Sequence, residues 1–482
     1  MDKLRINGEI VSDDVIPNGS QKPVLRNSLD ETTSSEMSSA IPRIVQDDTQ
    51  LYPIRHVMLI LFCFYSMSNA FQWIEYSIIN NIICKYYDVD GESVNWTSVI
   101  YMVTYIPLIF PASWLLDKKG LRFVILLGSF GTCVGSWIKC ASVSPDRFVV
   151  TMVGQTVVAV SQIFILGIPP KLAATWYSSE GVSRACAVGV FGNQFGIALG
   201  FLLPPLLVRN ADKDTIGKDL TFLFFGVAIF TSLLFLIIIF AFKDKPPKPP
   251  SRAQAAILAS VERINYWKSI LNLIKNINYT LLLITYGINV GVFYAISTLL
   301  NQVVLIHFPG EEQTAGWMGL TIVLTGMLGS VVCGYILDLT HKFKETTIAV
   351  YILSLVGMIS FTLTLHFNSL ILVFVLSALL GFFMTGYLPL GFEFAAEITY
   401  PEAEGTSSGL LNASAQVFGI LCTTIASSIL NHNDLYANLF LISALFLGTL
   451  ITVFIKSELR RQQATQVSFN NVENSRLMDG RA

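Results

Sequence analysis

The chain has 482 residues, 53% of them hydrophobic and only 13% charged, where a soluble domain is about a quarter charged. Its 31 Lys and Arg face 33 Asp and Glu for a formal net charge of −2, so it lacks the basic surplus of a nucleic-acid binder. With a mean hydropathy of +0.59, the composition also excludes a cytosolic enzyme and a disordered scaffold and points to an all-α polytopic membrane protein.

Residues 1–52 are polar, rich in Ser, Asp and Thr, and too poor in apolar groups to form a core, so they read as a disordered tail. The first apolar run begins only near Val57, so no signal peptide is expected. From there twelve runs reach the ~20 residues a spanning helix needs. They cover 56–84, 95–116, 121–143, 147–171, 183–208, 219–242, 278–306, 315–338, 345–366, 368–395, 406–430 and 434–456. Continuous hydrophobicity predicts helices, because a barrel strand alternates over ~10 residues. Lys and Arg concentrate in the loops on the side of both tails, which predicts cytoplasmic termini. The loop between the tenth and eleventh runs, with Glu397, Glu402 and Glu404, is the acidic exception.

A basic, proline-rich stretch from Lys243 onward divides the twelve runs six and six, and its part from Ala253 to Ile274 fits an amphipathic helix on the membrane surface. The expected organisation is a tail (1–52), a six-helix bundle (53–243), a cytoplasmic linker (244–277), a second six-helix bundle (278–457) and a cytoplasmic tail (458–482). Seven cysteines are scattered without metal-ligand spacing and read as small core residues, so neither a metal nor a cofactor is expected.

The halves repeat each other. The loop after the second run reads Ser113-Trp-Leu-Leu-Asp117-Lys118-Lys119-Gly120-Leu121-Arg122, and the loop after the eighth reads Gly334-Tyr-Ile-Leu-Asp338-Leu-Thr-His341-Lys342. The two aspartates lie 338 − 117 = 221 positions apart. Trp73 and Tyr294 lie 294 − 73 = 221 apart, and Gln194 and Gln416 lie 416 − 194 = 222 apart. Corresponding halves of this kind suit a transporter that rocks about a central site. In each loop a small residue permits close helix approach and the Asp pairs with a base or caps a helix, so Asp117, Lys118, Arg122, Gly334 and Asp338 are candidate latches for the rocking states. The pattern resembles the loop motif of the major facilitator superfamily, Gly-x-x-x-Asp followed by basic residues around a Gly. Ser113 replaces the leading Gly in the first copy, and His341 stands where the second would have its later Gly. The resemblance implies that superfamily's fold: twelve transmembrane helices in two pseudo-symmetric bundles, with spans 1, 4, 7 and 10 walling a cavity and spans 5 and 11 contributing.

Polar and aromatic groups deep in a span face a cavity or another helix. Trp73, Gln162, Gln194, Tyr294 and Gln416 stand out by depth, and Asn69 lies one turn before Trp73 on the same face. Each also fits plain packing or interhelical bonding. Two facing aromatics suit a quaternary ammonium, which has no N–H to donate. Every histidine sits at a span end or in a loop, and Glu75 is the one deep acid, ~200° round the helix from Trp73. With no Asp or Lys expected at mid-depth, a proton relay is nearly absent, which favours facilitated diffusion. Gly192, Gly196 and Gly200 let span 5 approach a neighbour closely, and Pro107, Pro111, Pro169, Pro170, Pro204, Pro205 and Pro389 are candidate bends. The sequon at Asn95 sits too close to span 2 for glycosylation.

Longer strings resemble one family more specifically. Asn69-Ala-Phe-Gln-Trp73-Ile, Gly192-Asn-Gln-Phe-Gly196, Phe201-Leu-Leu-Pro-Pro205, Tyr294-Ala-Ile-Ser-Thr-Leu-Leu-Asn-Gln302 and Ile398-Thr-Tyr-Pro-Glu-Ala-Glu-Gly-Thr-Ser-Ser-Gly are similar to the feline leukaemia virus subgroup C receptor (FLVCR) family, over residues 53 to 461. The resemblance implies a choline and ethanolamine facilitator; haem export has also been assigned to that family. It implies that Trp73 and Tyr294 hold the ammonium, that Gln162 and Gln416 assist, and that Asn69, Asn193 and Gln194 lie in matching strings. Glu75 departs from relatives that carry Gln there.

The expected activity is therefore uniport of choline and ethanolamine by a monomer in the plasma membrane or an organelle membrane, with no enzyme activity. A haem exporter would want basic or axial His groups along its path, and a nontransporting receptor would want a structured tail; the sequence offers neither.

Overall fold

The computed structural model describes residues 50–178, 181–250, 266–367, 369–402 and 404–463. The expected tails up to residue 49 and beyond residue 463, and linker residues 251–265, lie outside the described residues. Among the described residues eleven helices are long and apolar enough to cross a membrane. One of them, Gly91–Cys140, has 50 residues, about 75 Å of helix against a hydrocarbon core of ~30 Å, and it is interrupted at Gly120. It is two spans, and eleven becomes twelve.

Span 1 is Ile54–Ile74, continued by a 3-10 turn (Ser77–Ile79) and a short helix (Asn80–Tyr87). Spans 2 and 3 are the parts of Gly91–Cys140 before and after Gly120. Span 4 is Phe148–Leu166, followed across Gly167 by Ile168–Trp176. Spans 5 and 6 are Val182–Leu207 and Lys213–Ala241. Span 7 is Ile277–His307, span 8 Glu312–Thr340, span 9 Phe343–Leu365, span 10 Leu370–Thr399, span 11 Glu404–Leu430 and span 12 Asp434–Phe454. The amphipathic segment of the linker is helical over Tyr266–Lys275.

Local chemistry sets the boundaries. Asp90, Asp212, Asn276 and Asn433 accept backbone N–H groups of the first turns that follow them, satisfying donors a helix start leaves free. Pro169 and Pro170 open the second segment of span 4, where their missing N–H groups cost nothing, whereas Pro107, Pro111, Pro204, Pro205 and Pro389 lie inside continuous helices. Gly120 has φ +83° and ψ 177°, a conformation essentially restricted to glycine, and it makes the turn from span 2 to span 3.

The packing repeats between halves. Span 1 lies on span 5 as span 7 lies on span 11; span 4 packs on the span 2–3 hairpin as span 10 packs on span 8; span 6 packs on that hairpin as span 12 packs on span 9. The glycine stripe of span 5 makes the first of these contacts possible: a Cβ at Gly196 would stand 2.3 Å from the Met67 carbonyl oxygen, and one at Gly200 2.7 Å from that of Phe71. The halves meet through span 5 on span 8 and span 2 on span 11.

Candidate functional site

Trp73 occupies the last turn of the span 1 helix, which stops at Ile74. Tyr294 lies midway along span 7, where the absence of a side chain at Gly419 of span 11 lets its ring approach that helix. The two rings meet edge to face, centroids 5.4 Å apart and planes at 72°. In an edge-to-face pair the edge of one ring covers one face of the other. Gln416 is buried on span 11, one turn before Gly419, close to the Tyr294 phenol.

The other candidates are placed differently. Asn69 is fully buried, and its Nδ2 donates to Thr132 Oγ1 (3.1 Å) and to the Val158 carbonyl (3.0 Å), so it ties span 1 to spans 3 and 4. Asn193 donates to Ser66 Oγ at 3.1 Å, a bond between spans 5 and 1. Gln162 and Gln194 are half-buried on spans 4 and 5; the Gln194 Oε1 has no partner, and neither side chain hydrogen-bonds to the ring pair. The structure thus unites Trp73, Tyr294 and Gln416, and uses Asn69 and Asn193 to hold helices together. An apolar crevice of about 270 Å³ between spans 1, 5 and 6, lined by Met67, Phe71, Leu203, Phe222 and Phe230, lies apart from the pair.

Sequence reasoning missed a buried charge. Lys139, one residue from the end of span 3, is only 1% exposed, and its Nζ forms an ion pair with Glu75, also 1% exposed. The expectation that no lysine lies deep is therefore corrected: the Lys139 stem passes Gly154 of span 4, where a Cβ would stand 2.7 Å from its Cγ, and so reaches inward. Lys139 Nζ also donates to Gln155 Oε1 at 3.2 Å and lies 5.5 Å from the centroid of the Tyr76 ring. The pair is net neutral, which is how two charges persist away from water.

Also unforeseen were the bridges between halves. Glu312 on span 8 accepts from Asn81 (3.0 Å) and Asn210 (2.9 Å). Asn95 on span 2 donates to Gln302 of span 7 (3.2 Å) and Ser427 of span 11 (2.8 Å), and accepts from Asn80 (3.1 Å). The Asn80-Asn81 pair and the Asn95 sequon were the visible signals. All these bonds lie at the end of the bundle opposite the Gly120 turn between spans 2 and 3. At the other end two polar ties join residues of the first half: Lys171 pairs with Asp117 at 3.0 Å, and Asp244 accepts from the Arg122 backbone N–H at 3.0 Å. Lys118 lies 4.7 Å over the Trp114 ring. On the second half Glu402 accepts from Ser269 and Asn272 of the linker helix. A Cβ at Gly334 would meet nothing within 4 Å, so no helix presses on it, and the Asp338 side chain lies outside the described residues. The Asn81, Asn95 and Asn210 bridges between the halves gather at one end of the bundle, as such bridges do in one state of a rocking transporter.

The Major Facilitator Superfamily model matches residues 58–361 and 282–470. The chain is 53% identical over 430 residues to the choline/ethanolamine transporter flvcr2a of Danio rerio, covering 89% of this chain and 92% of that protein. It is 50% identical over 420 residues to the human choline/ethanolamine transporter FLVCR2, covering 86% and 80%. It is also 55% identical over 423 residues to an uncharacterized MFS-type transporter of Caenorhabditis elegans, covering 87% and 72%. Among solved structures, a D-xylose-proton symporter superposes with a TM-score of 0.63 over 83% of this chain and 98% of its own. At 12% identity it speaks for the fold alone.

Proposed function

The chain belongs to the major facilitator superfamily and, within it, to the FLVCR family of choline/ethanolamine transporters, and from this premise we propose that it carries choline and ethanolamine by uniport, caging the ammonium between Trp73 and Tyr294. The observation that carries the reading is the ring pair itself: one aromatic from each half, in contact, with the Gln416 amide alongside. A quaternary ammonium has no N–H, so ring faces are what can hold it, while an amide can bond the substrate hydroxyl. Because the rings belong to opposite halves, a rocking motion that parts and rejoins them couples binding to access. We extend the binding set to Gln162 and Gln194, half-buried amides on spans 4 and 5.

Uniport is supported by the state of the deep charges. Glu75 and Lys139 are spent on each other, and neither lies between the rings. We take 53–243 and 278–457 as the two rocking bundles of a monomer in the plasma membrane with cytoplasmic chain ends, and on this orientation the Asn95 and Glu312 bridges belong to an outward-closed state.

The test is uptake of labelled choline and ethanolamine into cells expressing wild type, Trp73→Ala and Tyr294→Ala at matched surface levels. Undiminished uptake in both variants rejects the cage. Imposing a proton gradient at fixed voltage leaves wild-type uptake unchanged; strict dependence on that gradient rejects uniport.

A further inference from the structure

Trp73 stands where its helix ends. The last four carbonyls of any helix lack intrahelical partners, and in a span these groups must be satisfied by neighbours rather than by water. Span 1 stops at Ile74, turns through Glu75 and Tyr76 and restarts at Asn80, so the carbonyls of Gln72 and Trp73 fall in that last turn. Both are met by side chains from other spans. Gln155 Nε2 of span 4 donates to the Gln72 carbonyl at 2.7 Å, and Ser98 Oγ of span 2 donates to the Trp73 carbonyl at 3.0 Å.

Gln155 is the hub of this arrangement. Its Nε2 also donates to the Thr97 carbonyl of span 2 at 3.1 Å, and its Oε1 accepts from Lys139 Nζ, whose ammonium pairs with Glu75 in the turn itself. One fully buried amide therefore joins spans 1, 2, 3 and 4. Its orientation is fixed by its partners: turned over, its oxygen would face two carbonyl oxygens and its NH₂ group an ammonium. The indole of Trp73 leaves the helix on the other side, toward Tyr294. A rigid polar clamp behind the backbone and a ring presented in front is the arrangement that holds a binding group in place.

We infer that Gln155 is a positioning residue for substrate binding: with Ser98, Lys139 and Glu75 it fixes the broken turn of span 1 so that the Trp73 indole is presented to the ammonium. The inference rests on the cage reading, and it differs from a general stabilising role. A residue that acts through Trp73 changes affinity only while the indole is there to be placed.

The experiment is a double-mutant cycle on choline uptake, with KM and turnover per surface transporter measured separately for Gln155→Leu, Ser98→Ala, Trp73→Ala and the two combinations with Trp73→Ala. Losing a buried hydrogen-bond partner of the turn is expected to raise KM about tenfold for Gln155→Leu and several-fold for Ser98→Ala, with turnover within about twofold of wild type. In the Trp73→Ala background neither change is expected to raise KM further. Ser98→Ala, a one-atom deletion, carries the test if Gln155→Leu fails to reach the surface. Wild-type KM in both single variants, or increases that simply multiply with that of Trp73→Ala, overturns the positioning role while leaving the cage standing. Wild-type KM in Trp73→Ala itself overturns the cage, and the positioning role with it.

Discussion

Asn95 and Ser427, 332 positions apart in the chain, are joined by a 2.8 Å hydrogen bond that crosses from one half of the bundle to the other. The same amide donates to Gln302 and accepts from Asn80, so a single side chain on span 2 serves three partners. Removing it by Asn95→Ala takes the donor from Ser427 and from half-buried Gln302 and leaves Asn80 its bond to the Gly91 carbonyl, a cost of about 1–3 kcal/mol in the state where this end is closed. On the proposed orientation, with cytoplasmic chain ends, that state is closed to the outside. Destabilising it raises the outward-open population, and apparent affinity scales with the fraction of competent molecules. The half-saturating external choline concentration is expected to fall several-fold. An unchanged or higher value would count against the bridge as an outer gate.

The same residue heads the triplet Asn95-Trp96-Thr97, which reads as a glycosylation sequon. Its side chain is 2% exposed, lies inside a helix and is spent on protein partners. No glycan is expected there. Gel mobility of Asn95→Gln should equal that of wild type before and after enzymatic deglycosylation, and a lower apparent mass for the variant would contradict the assignment.

On the proposed cage, Tyr294 gives the ammonium a ring while its hydroxyl lies close to Gln416, and the two contributions can be separated. Tyr294→Phe keeps the ring, so choline KM should rise by no more than about threefold, the value of one modest hydrogen bond. Tyr294→Ala and Trp73→Ala remove a desolvated cation–π contact of about 2 kcal/mol, a factor of roughly 30 in affinity. Equal losses for Phe and Ala at position 294 would assign the binding to the hydroxyl instead of the ring.

Much of this was legible in the sequence because it rests on local pattern. Apolar length marked the spans, and Asp117 and Asp146 kept neighbouring runs apart. Glycine at every fourth position of span 5 marked the face that meets span 1, since only a missing side chain allows so close an approach. The shared offset of Trp73 and Tyr294 expressed a duplicated fold. What escaped depends on how helices cross. Asn69 shares a face with Trp73, but that face borders spans 3 and 4 as well as span 7, and no periodicity says which neighbour an amide will choose. Lys139 sits near a helix end, where a lysine normally snorkels toward water. Only the gap at Gly154, on another helix, turns it inward to Glu75.

That inward turn has an energetic consequence. Lys139→Met leaves the Glu75 carboxylate buried without a counter-charge, a loss of about 3–5 kcal/mol. Glu75→Gln combined with Lys139→Met leaves no charge behind and should recover most of the loss. Thermal unfolding of the detergent-purified protein reads this directly. If the double variant melts no higher than the single one, the pair is not what the lysine is there to satisfy.

The turn at Gly120 makes the last prediction, because two independent obstacles meet there. Its φ of +83° with ψ of 177° is strained for any residue with a Cβ, at about 1–3 kcal/mol. A Cβ would also stand 2.4 Å from Asp244 Oδ1, the oxygen that accepts from the Arg122 backbone N–H. Gly120→Ala is therefore expected to lower the melting temperature through backbone strain and through loss of this tie between the start of span 3 and the end of span 6. Asp244→Ala alone removes only the exposed tie and should cost less. In the combination the collision disappears but the strain stays, so Gly120→Ala/Asp244→Ala should melt well below Asp244→Ala. If the two melt together, the backbone at this turn has relaxed into an ordinary conformation, and the break between spans 2 and 3 does not depend on glycine.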